Sequence, residues 1–589
     1  MSSRERWALA AILAYGAALR FTPVPYGLPF LFHPDETHLI MELGKFLGGI
    51  SQGNIPFDAS TFHYPLALIY AVYFGFGLAT GRLTAVSDVQ SAFLLDDPAL
   101  HLLGRCMAAA FSVVTLVLTF LVGREVYRSR VGVIAAFLMA VSVADVSSAH
   151  WLKQNSTVTM MALAATLGIL RASRRDDSIR PWVLGGLLGA AVATRIDLVF
   201  VIPLFLIAAV IEPDGRVRSS SLQTLVSRRV LTTLSTAILA HLLVSFQLMQ
   251  LLARYVTRQP PAFTTRPTGA SLIQFLAAGN LAVTLRHNAW FYLTRGLIGT
   301  SGIVLAVFIV AGILKAARSH RREELILVSA VGLMLVQLLV FNVYGLHYFS
   351  RFMPALMILA ASAISGTSSL APAKVQPWLL AALVASAAAQ AVYYSARYVQ
   401  YAATNVDTRA RAREWIYENI PFGTPIAVQK FDEIPAYLPP LNQTRHFATA
   451  KLEMIRADSR SSGLALQARL LAYPEDTYAI TNLSIEHRWA GARLPLENNY
   501  DFERLKASGV RYVVTSSANS PLMEEEAAVQ GLLISPSALD KRAFALYDDF
   551  MRQLRARATL VADFTPRDAA TVERTDSPID KTIRIYHLQ

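Results

Sequence analysis

Two adjacent carboxylates, Asp35 and Glu36, stand in the stretch Phe32-His33-Pro34-Asp35-Glu36-Thr37-His38, directly behind the first hydrophobic segment. Pro34 suits a first helical turn, where the partial positive charge of a helix N-terminus favours the acids that follow. Beyond them Leu39, Leu43, Phe46 and Ile50 recur at helical spacing, while Asp35, His38, Glu42 and Lys45 fall on another stripe. The pattern predicts an amphipathic helix lying along a membrane surface. Complementing the helix dipole explains the two acids as well as chemistry does, until their company is considered. A carboxylate can take the proton of an attacking hydroxyl, and arginines can hold a phosphate leaving group through paired N–H donors.

The elements that must position these groups are hydrophobic. Of 589 residues, 54% are hydrophobic and 16% charged, and the apolar residues come in long blocks, which makes the chain a polytopic membrane protein. Blocks of roughly spanning length lie at 7–24, 101–123, 131–149, 157–172, 181–194, 197–211, 230–252, 296–315, 324–343, 351–366 and 376–394. The formal charge of +13 comes from arginines clustered in short loops between these blocks. That is the positive-inside pattern, and it argues against a nucleic-acid partner. The single cysteine, Cys106, excludes an intrachain disulfide and a cysteine-cluster metal site. The first block reads as an uncleaved span, because the loop behind it carries the acids.

Charge parity sets the topology. Arg4 and Arg6 on one side and Arg124, Arg128 and Arg130 on the same side require an even number of crossings between them. The apolar stretch 63–80 is therefore expected to stay in the interface or re-enter, leaving an external first loop over about 25–100. The later basic clusters, around Arg171, Arg216, Arg228 and Lys315, all fall inside. About eleven transmembrane helices then fill residues 1–400, and a soluble α/β domain, residues 401–589, lies outside. Within that domain Pro425–Val428, Val510–Thr515, Ala558–Phe564 and Ile583–His587 read as strands, with helices over Asp407–Tyr417, Phe502–Ser508 and Ala543–Arg555.

This topology gathers polar groups on the external face. They include Arg105 near the outer start of a span, His150 after the third, Arg195 and Asp197 in an apolar hairpin, and Arg351 behind His347. Charges in such places are costly and default to functional candidates. The ordinary explanations are a local charge pair at a turn for Arg195 and Asp197 and an interfacial anchor for Arg351. A soluble nucleotide-sugar would be on the wrong side, whereas a lipid-phosphate donor reaches such a site from the bilayer.

At these residues the chain resembles the polytopic glycosyltransferases of the GT-C class, in the branch of protein O-mannosyltransferases and the aminoarabinose transferase of lipid A. Asp35-Glu36 is similar to the acidic pair behind that family's first span, and His63-Tyr64-Pro65-Leu66 to its interfacial proline element. Arg105, the basic turn 124–130 and the Gly-rich hairpin 185–195 follow in the family's order. Arg351-Phe352-Met353-Pro354 resembles its late Arg-aromatic-Pro signature, with the proline one residue earlier. Many relatives carry an aspartate where this chain has Asn155, which weakens a metal or acceptor contact there.

The resemblance implies an inverting transfer of a sugar from a polyprenyl-phosphate donor to a protein, lipid or glycan acceptor on the extracytoplasmic face. The setting would be the cytoplasmic membrane of a prokaryote. It makes Asp35 the general base or an acceptor-positioning group with Glu36 supporting it, and Arg351, Arg105 and Arg195 the donor-phosphate residues. His150, Tyr292 and His347 become sugar or acceptor contacts, and a divalent metal is open. Two other readings stand beside this one: a lipid-linked-sugar transporter or flippase, which expects midplane charges and inverted repeats, and a non-catalytic membrane assembly subunit.

Overall fold

The computed structural model describes residues 1–33, 36, 39–40, 43, 60–85, 88–89, 92–93, 97–174, 179–245, 281–340, 346–429, 438–441, 477–483, 500–517, 538–568 and 580–588. Asp35 lies outside the described residues, as do His38, Glu42 and Lys45 of the same stretch.

The described residues up to Thr404 are mainly helical. Among the described residues three helices are each long and apolar enough to cross a membrane: Thr61–Ala79, Pro98–Val126 and the long helix beginning at Gln376. Two sharply bent helix pairs, Ser129–Ala140 with Val143–Ala149 and Asn288–Gly299 with Ile303–Ala317, bring the count to as many as five. With the shorter apolar helices Pro181–Thr194 and Met353–Ser368 they make a multi-pass membrane protein. The helix over 61–79 has the length and apolarity of a span, so its expected interfacial position rests on charge parity alone.

Two features explain how this part packs around the site. Gly185 and Gly189 lie against the backbone of the helix Arg228–Val244, where an added Cβ would meet the Thr233 and Ala237 carbonyls at 2.4 and 2.2 Å. Small residues let two helices approach this closely in a membrane. At the 60° bend between Ser129–Ala140 and Val143–Ala149, Arg20 donates to the carbonyls that end the first helix. Its Nη1 donates to Ala140 and its Nη2 to Met139, while the same guanidinium pairs with the buried Asp145 and donates to Ser112 Oγ. The bend turns the chain so that residues 150–153 meet the acidic segment.

Of the acidic segment, Glu36, Leu39, Ile40 and Leu43 are helical. The apolar three share a core with Phe62, Leu66, Tyr70, Leu100, Met107 and Leu152. The expectation of a surface-lying helix is corrected to this extent: its described apolar stripe is covered by protein rather than lipid, because the helices Ser60–Ala79 and Pro98–Val126 offer apolar faces to it.

Behind the helix Gln376–Thr404 and the helix Thr408–Asn419 comes a five-stranded sheet. Its strands are β1 (Pro425–Gln429), β2 (Ala479–Leu483), β3 (Tyr512–Ser516), β4 (Ala558–Phe564) and β5 (Ile583–Leu588), in the order β2-β1-β3-β5-β4. β1 pairs in parallel with β2 and β3, and β5 pairs antiparallel with β3 and β4. Alternation decides the faces. Ile426, Val428, Val514 and Ile585 pack with Ala412, Ile416 and Ile420 on one side, and Ala427, Val513 and Tyr586 with Phe502, Phe550 and Leu554 on the other. β2 was not foreseen, since Ala479-Ile480-Thr481-Asn482-Leu483 offers little apolar run of its own and takes its place by pairing with β1.

Candidate active site

Glu36 is the centre of a closed arrangement. Arg105, near the start of the helix Pro98–Val126, donates Nε to Glu36 Oε1 at 2.8 Å and Nη2 to Oε2 at 2.7 Å. The Leu152 amide adds a third donor to Oε1 at 2.7 Å. Arg105 turns its Nη1 the other way, to the carbonyls of Val24 and Tyr26 at 2.9 and 2.7 Å. Both charged side chains are 0% exposed. Burial of such a pair is tolerable only when hydrogen bonds take up the remaining donors and acceptors, as they do here. Gly104 makes the approach of Leu152 possible, because a Cβ there would stand 2.3 Å from a Leu152 methyl.

An aromatic shelf lies beneath. The Arg105 guanidinium sits 4.9 Å from the Trp151 ring, which meets Tyr26 edge-on at 6.2 Å and His33 at 5.2 Å. His33 is held well below the usual imidazole range by burial first, then by the charges of Lys153, His347 and Arg105. His150 is fully buried, stacks on Trp151 at 4.6 Å and shares a hydrogen bond of 2.9 Å with the Tyr398 hydroxyl. It packs the shelf and does not line an opening as a sugar contact would.

A second cluster has a different balance. Asp197, in the short 3-10 turn Ile196–Phe200, accepts from Arg351 Nη1 and lies 3.4 Å from Arg195 Nε. Arg351 also donates Nε to the Tyr348 carbonyl at 3.0 Å. The Tyr348 ring sits under both guanidinium groups, 4.9 Å from Arg195 and 5.5 Å from Arg351. Two cations thus share one carboxylate, and Asp197 Oδ1 is buried with no hydrogen-bond partner among the described residues. The local-pair explanation for Arg195 and Asp197 is half right: the pair exists, and the structure adds Arg351 to it across 154 residues.

His347 is half-buried beside Tyr348, with ring centroids 4.1 Å apart. Tyr292 is buried in a ring stack with Phe349 at 6.1 Å. Asn155 opens the helix Asn155–Ala172, its side-chain amide 3.4 Å from Ser148 Oγ. Among the described residues no group of three or more His, Cys, Asp or Glu could hold a metal ion. Glu36 is poorly set to ligate a cation, since both oxygens are taken by Arg105 and one also by the Leu152 amide. The residues that sequence reasoning missed are Tyr26, the Leu152 amide and the Asp407–Arg409 pair. A tyrosine and a capping aspartate at surface-like positions carry no signal of the contact they make across the fold.

Residues 101–243 match the family model of dolichyl-phosphate-mannose-protein mannosyltransferases. No curated protein matches the chain by sequence. By structure it resembles the oligosaccharyltransferase AglB of Archaeoglobus fulgidus, solved with an inhibitory peptide and a dolichol-phosphate: TM-score 0.52, 14% identity, covering 93% of this chain and 71% of that one. The same enzyme tethered to an acceptor peptide aligns with a TM-score of 0.51 at 13% identity, over 96% and 73% of the two chains. ArnT from Cupriavidus metallidurans bound to undecaprenyl phosphate gives 0.49 at 11% identity, over 98% and 97%. At these identities the likeness is one of fold, shared with the Archaeoglobus oligosaccharyltransferase, and the family match covers residues 101–243 of the chain. The segment matched contains Arg105, His150, Arg195 and Asp197.

Proposed function

We propose that the chain is a membrane glycosyltransferase of the GT-C class and transfers a sugar from a polyprenyl-phosphate carrier to an acceptor on the extracytoplasmic face, with inversion. The acceptor is a protein, lipid or glycan nucleophile. The sealed pairing of Glu36 with Arg105 carries this reading, because it separates roles that the sequence left merged. Glu36 and Arg105 neutralise each other and anchor the segment, so Arg105 is reassigned from donor phosphate to scaffold. Asp35, one residue away, is then the acid left for proton transfer. Arg195 and Arg351, both beside Asp197, form the phosphate-holding pair.

The step follows from these assignments. The acceptor hydroxyl attacks the anomeric carbon from the face opposite the phosphate and gives its proton to the Asp35 carboxylate. The bond from carbon to phosphate oxygen breaks, and its electron pair leaves with the polyprenyl phosphate, whose charge the guanidinium groups of Arg195 and Arg351 offset. His347, half-buried beside Tyr348, is the proposed sugar or acceptor contact, whereas His150 and Tyr292 pack against Trp151 and Phe349. The dolichol-phosphate bound by the Archaeoglobus enzyme supports a polyprenyl carrier for this fold.

Extraction and mass analysis of polyprenyl-phosphate lipids from cells in which the protein is inactivated tests the reading. One sugar-loaded carrier is expected to accumulate. An unchanged lipid profile, together with no release of polyprenyl phosphate by the purified protein, would overturn it.

A further inference from the structure

Between this site and the sheet lies a buried ion pair that the chemistry above does not use. Asp407 caps the helix Thr408–Asn419, its Oδ1 accepting from the Arg409 amide at 2.8 Å. Arg409 returns Nε to Oδ1 at 2.8 Å and Nη2 to Oδ2 at 2.6 Å. The two side chains are 0% and 1% exposed. A helix cap needs no guanidinium, and taking both charges out of water costs several kcal/mol unless their other donors and acceptors are met.

They are met largely by the loop that leads into the acidic segment. The Tyr26 hydroxyl donates to Asp407 Oδ2 at 2.8 Å. Arg409 Nη1 donates to the Phe32 carbonyl at 3.2 Å, and its guanidinium lies 4.0 Å over the Phe32 ring. One turn further along the same helix, Arg413 sits 5.2 Å over Phe30. Asp580 closes the far side: its amide donates to Asp407 Oδ2 at 3.2 Å, and its carboxylate accepts from the Thr408 amide and the Tyr401 hydroxyl. Asp407 stays charged here. Burial pushes its carboxyl up, but the Arg409 charge and hydrogen bonds outweigh that and hold it below the usual range.

Tyr26 is the joint between this pair and the site, with Asp407 on its hydroxyl and Arg105 on its carbonyl. Contacts therefore run without a break from Arg409 through Asp407, Tyr26 and Arg105 to Glu36. The geometry points to Asp407 and Arg409 as positioning residues for the acidic segment: through them the sheet-bearing part holds the chain from Tyr26 to Phe32 and so sets how Glu36 enters the site. This rests on the reading of that segment as catalytic. Neither residue touches reacting atoms, so their effect is on turnover rather than on donor binding. The C-terminal part is then a component of the active centre, in addition to anything it binds on its own.

The test uses the full-length protein, the polyprenyl-phosphate sugar that accumulates on inactivation, and membranes of cells lacking the protein as acceptor. Tyr26→Phe keeps the ring and removes one hydroxyl; Arg409→Lys keeps the charge and loses the fork. Each is expected to lower kcat at least about tenfold, leave the donor KM within about twofold, and speed amide hydrogen exchange over residues 24–33. If Arg409→Lys does not fold, Tyr26→Phe decides alone. Retained kcat in folded variants, or a raised KM at unchanged kcat, overturns the inference. Asp35→Asn is run beside them. Full turnover in that variant removes the catalytic reading and this inference with it, whereas lost turnover there with normal kcat in the other two overturns this inference alone.

Discussion

The two clusters at the site use the same residue types to opposite ends. Around Glu36 one guanidinium meets one carboxylate, both are sealed, and the remaining N–H groups of Arg105 go to backbone carbonyls. Around Asp197 two guanidinium groups meet one carboxylate, the three side chains keep 5–20% exposure, and one carboxylate oxygen has no hydrogen-bond partner among the described residues. The first arrangement can admit a ligand only by breaking itself. The second is more open to solvent, and on the proposed function it meets the donor phosphate. Burial and pairing, rather than the presence of arginine, distinguish the two clusters.

The sharpest way to break this contrast is at Asp35. Asp35→Asn is expected to lower turnover by about 10²–10⁴-fold while donor binding survives, as measured with purified protein and polyprenyl-phosphate sugar. Next in size is the scaffold itself. Glu36→Gln leaves the buried Arg105 charge without its counterion and is expected to cost about 3–5 kcal/mol of stability, read as a large drop in the thermal midpoint. A Glu36→Gln protein that melts normally but loses donor affinity would place the phosphate at Arg105 after all.

The open cluster should behave the other way. Arg351→Lys removes the forked donor and is expected to weaken donor binding by roughly 1.5–3 kcal/mol, about 10- to 100-fold in Kd, with little change in melting. Equal donor affinity in that variant would take Arg351 out of the site.

The smallest effect concerns pH. His33 is held neutral by burial and neighbouring cations, so its folded pKa lies below its unfolded one. The unfolded chain then binds the extra proton first, and stability falls as pH drops below about 6.5, by at most about 1.4 kcal/mol per pH unit. His33→Gln should flatten that part of the stability profile relative to the unchanged protein. Parallel profiles would mean that His33 titrates as freely folded as unfolded.

Much of this was legible without coordinates. Long apolar blocks declare membrane helices, because the bilayer demands about 20 apolar residues in a row whatever the neighbours are. The strands β1, β3, β4 and β5 were visible for a similar reason: Pro425-Ile426-Ala427-Val428 and Ile583-Arg584-Ile585-Tyr586 carry their β signal locally. The acidic pair and the arginines were singled out because charge beside a membrane is expensive and therefore rare. Their partners were not legible. Nothing within a few residues of Glu36 tells that Arg105 and the Leu152 amide meet it across 69 and 116 residues, or that Arg351 rather than Arg105 pairs with Asp197. Side-chain pairing is a property of the places helices bring together. A hydropathy pattern fixes that a helix is buried, but only its packing decides which charge is neutralised, which is left to bind, and why the loop before the acids is tied to a helix nearly four hundred residues away.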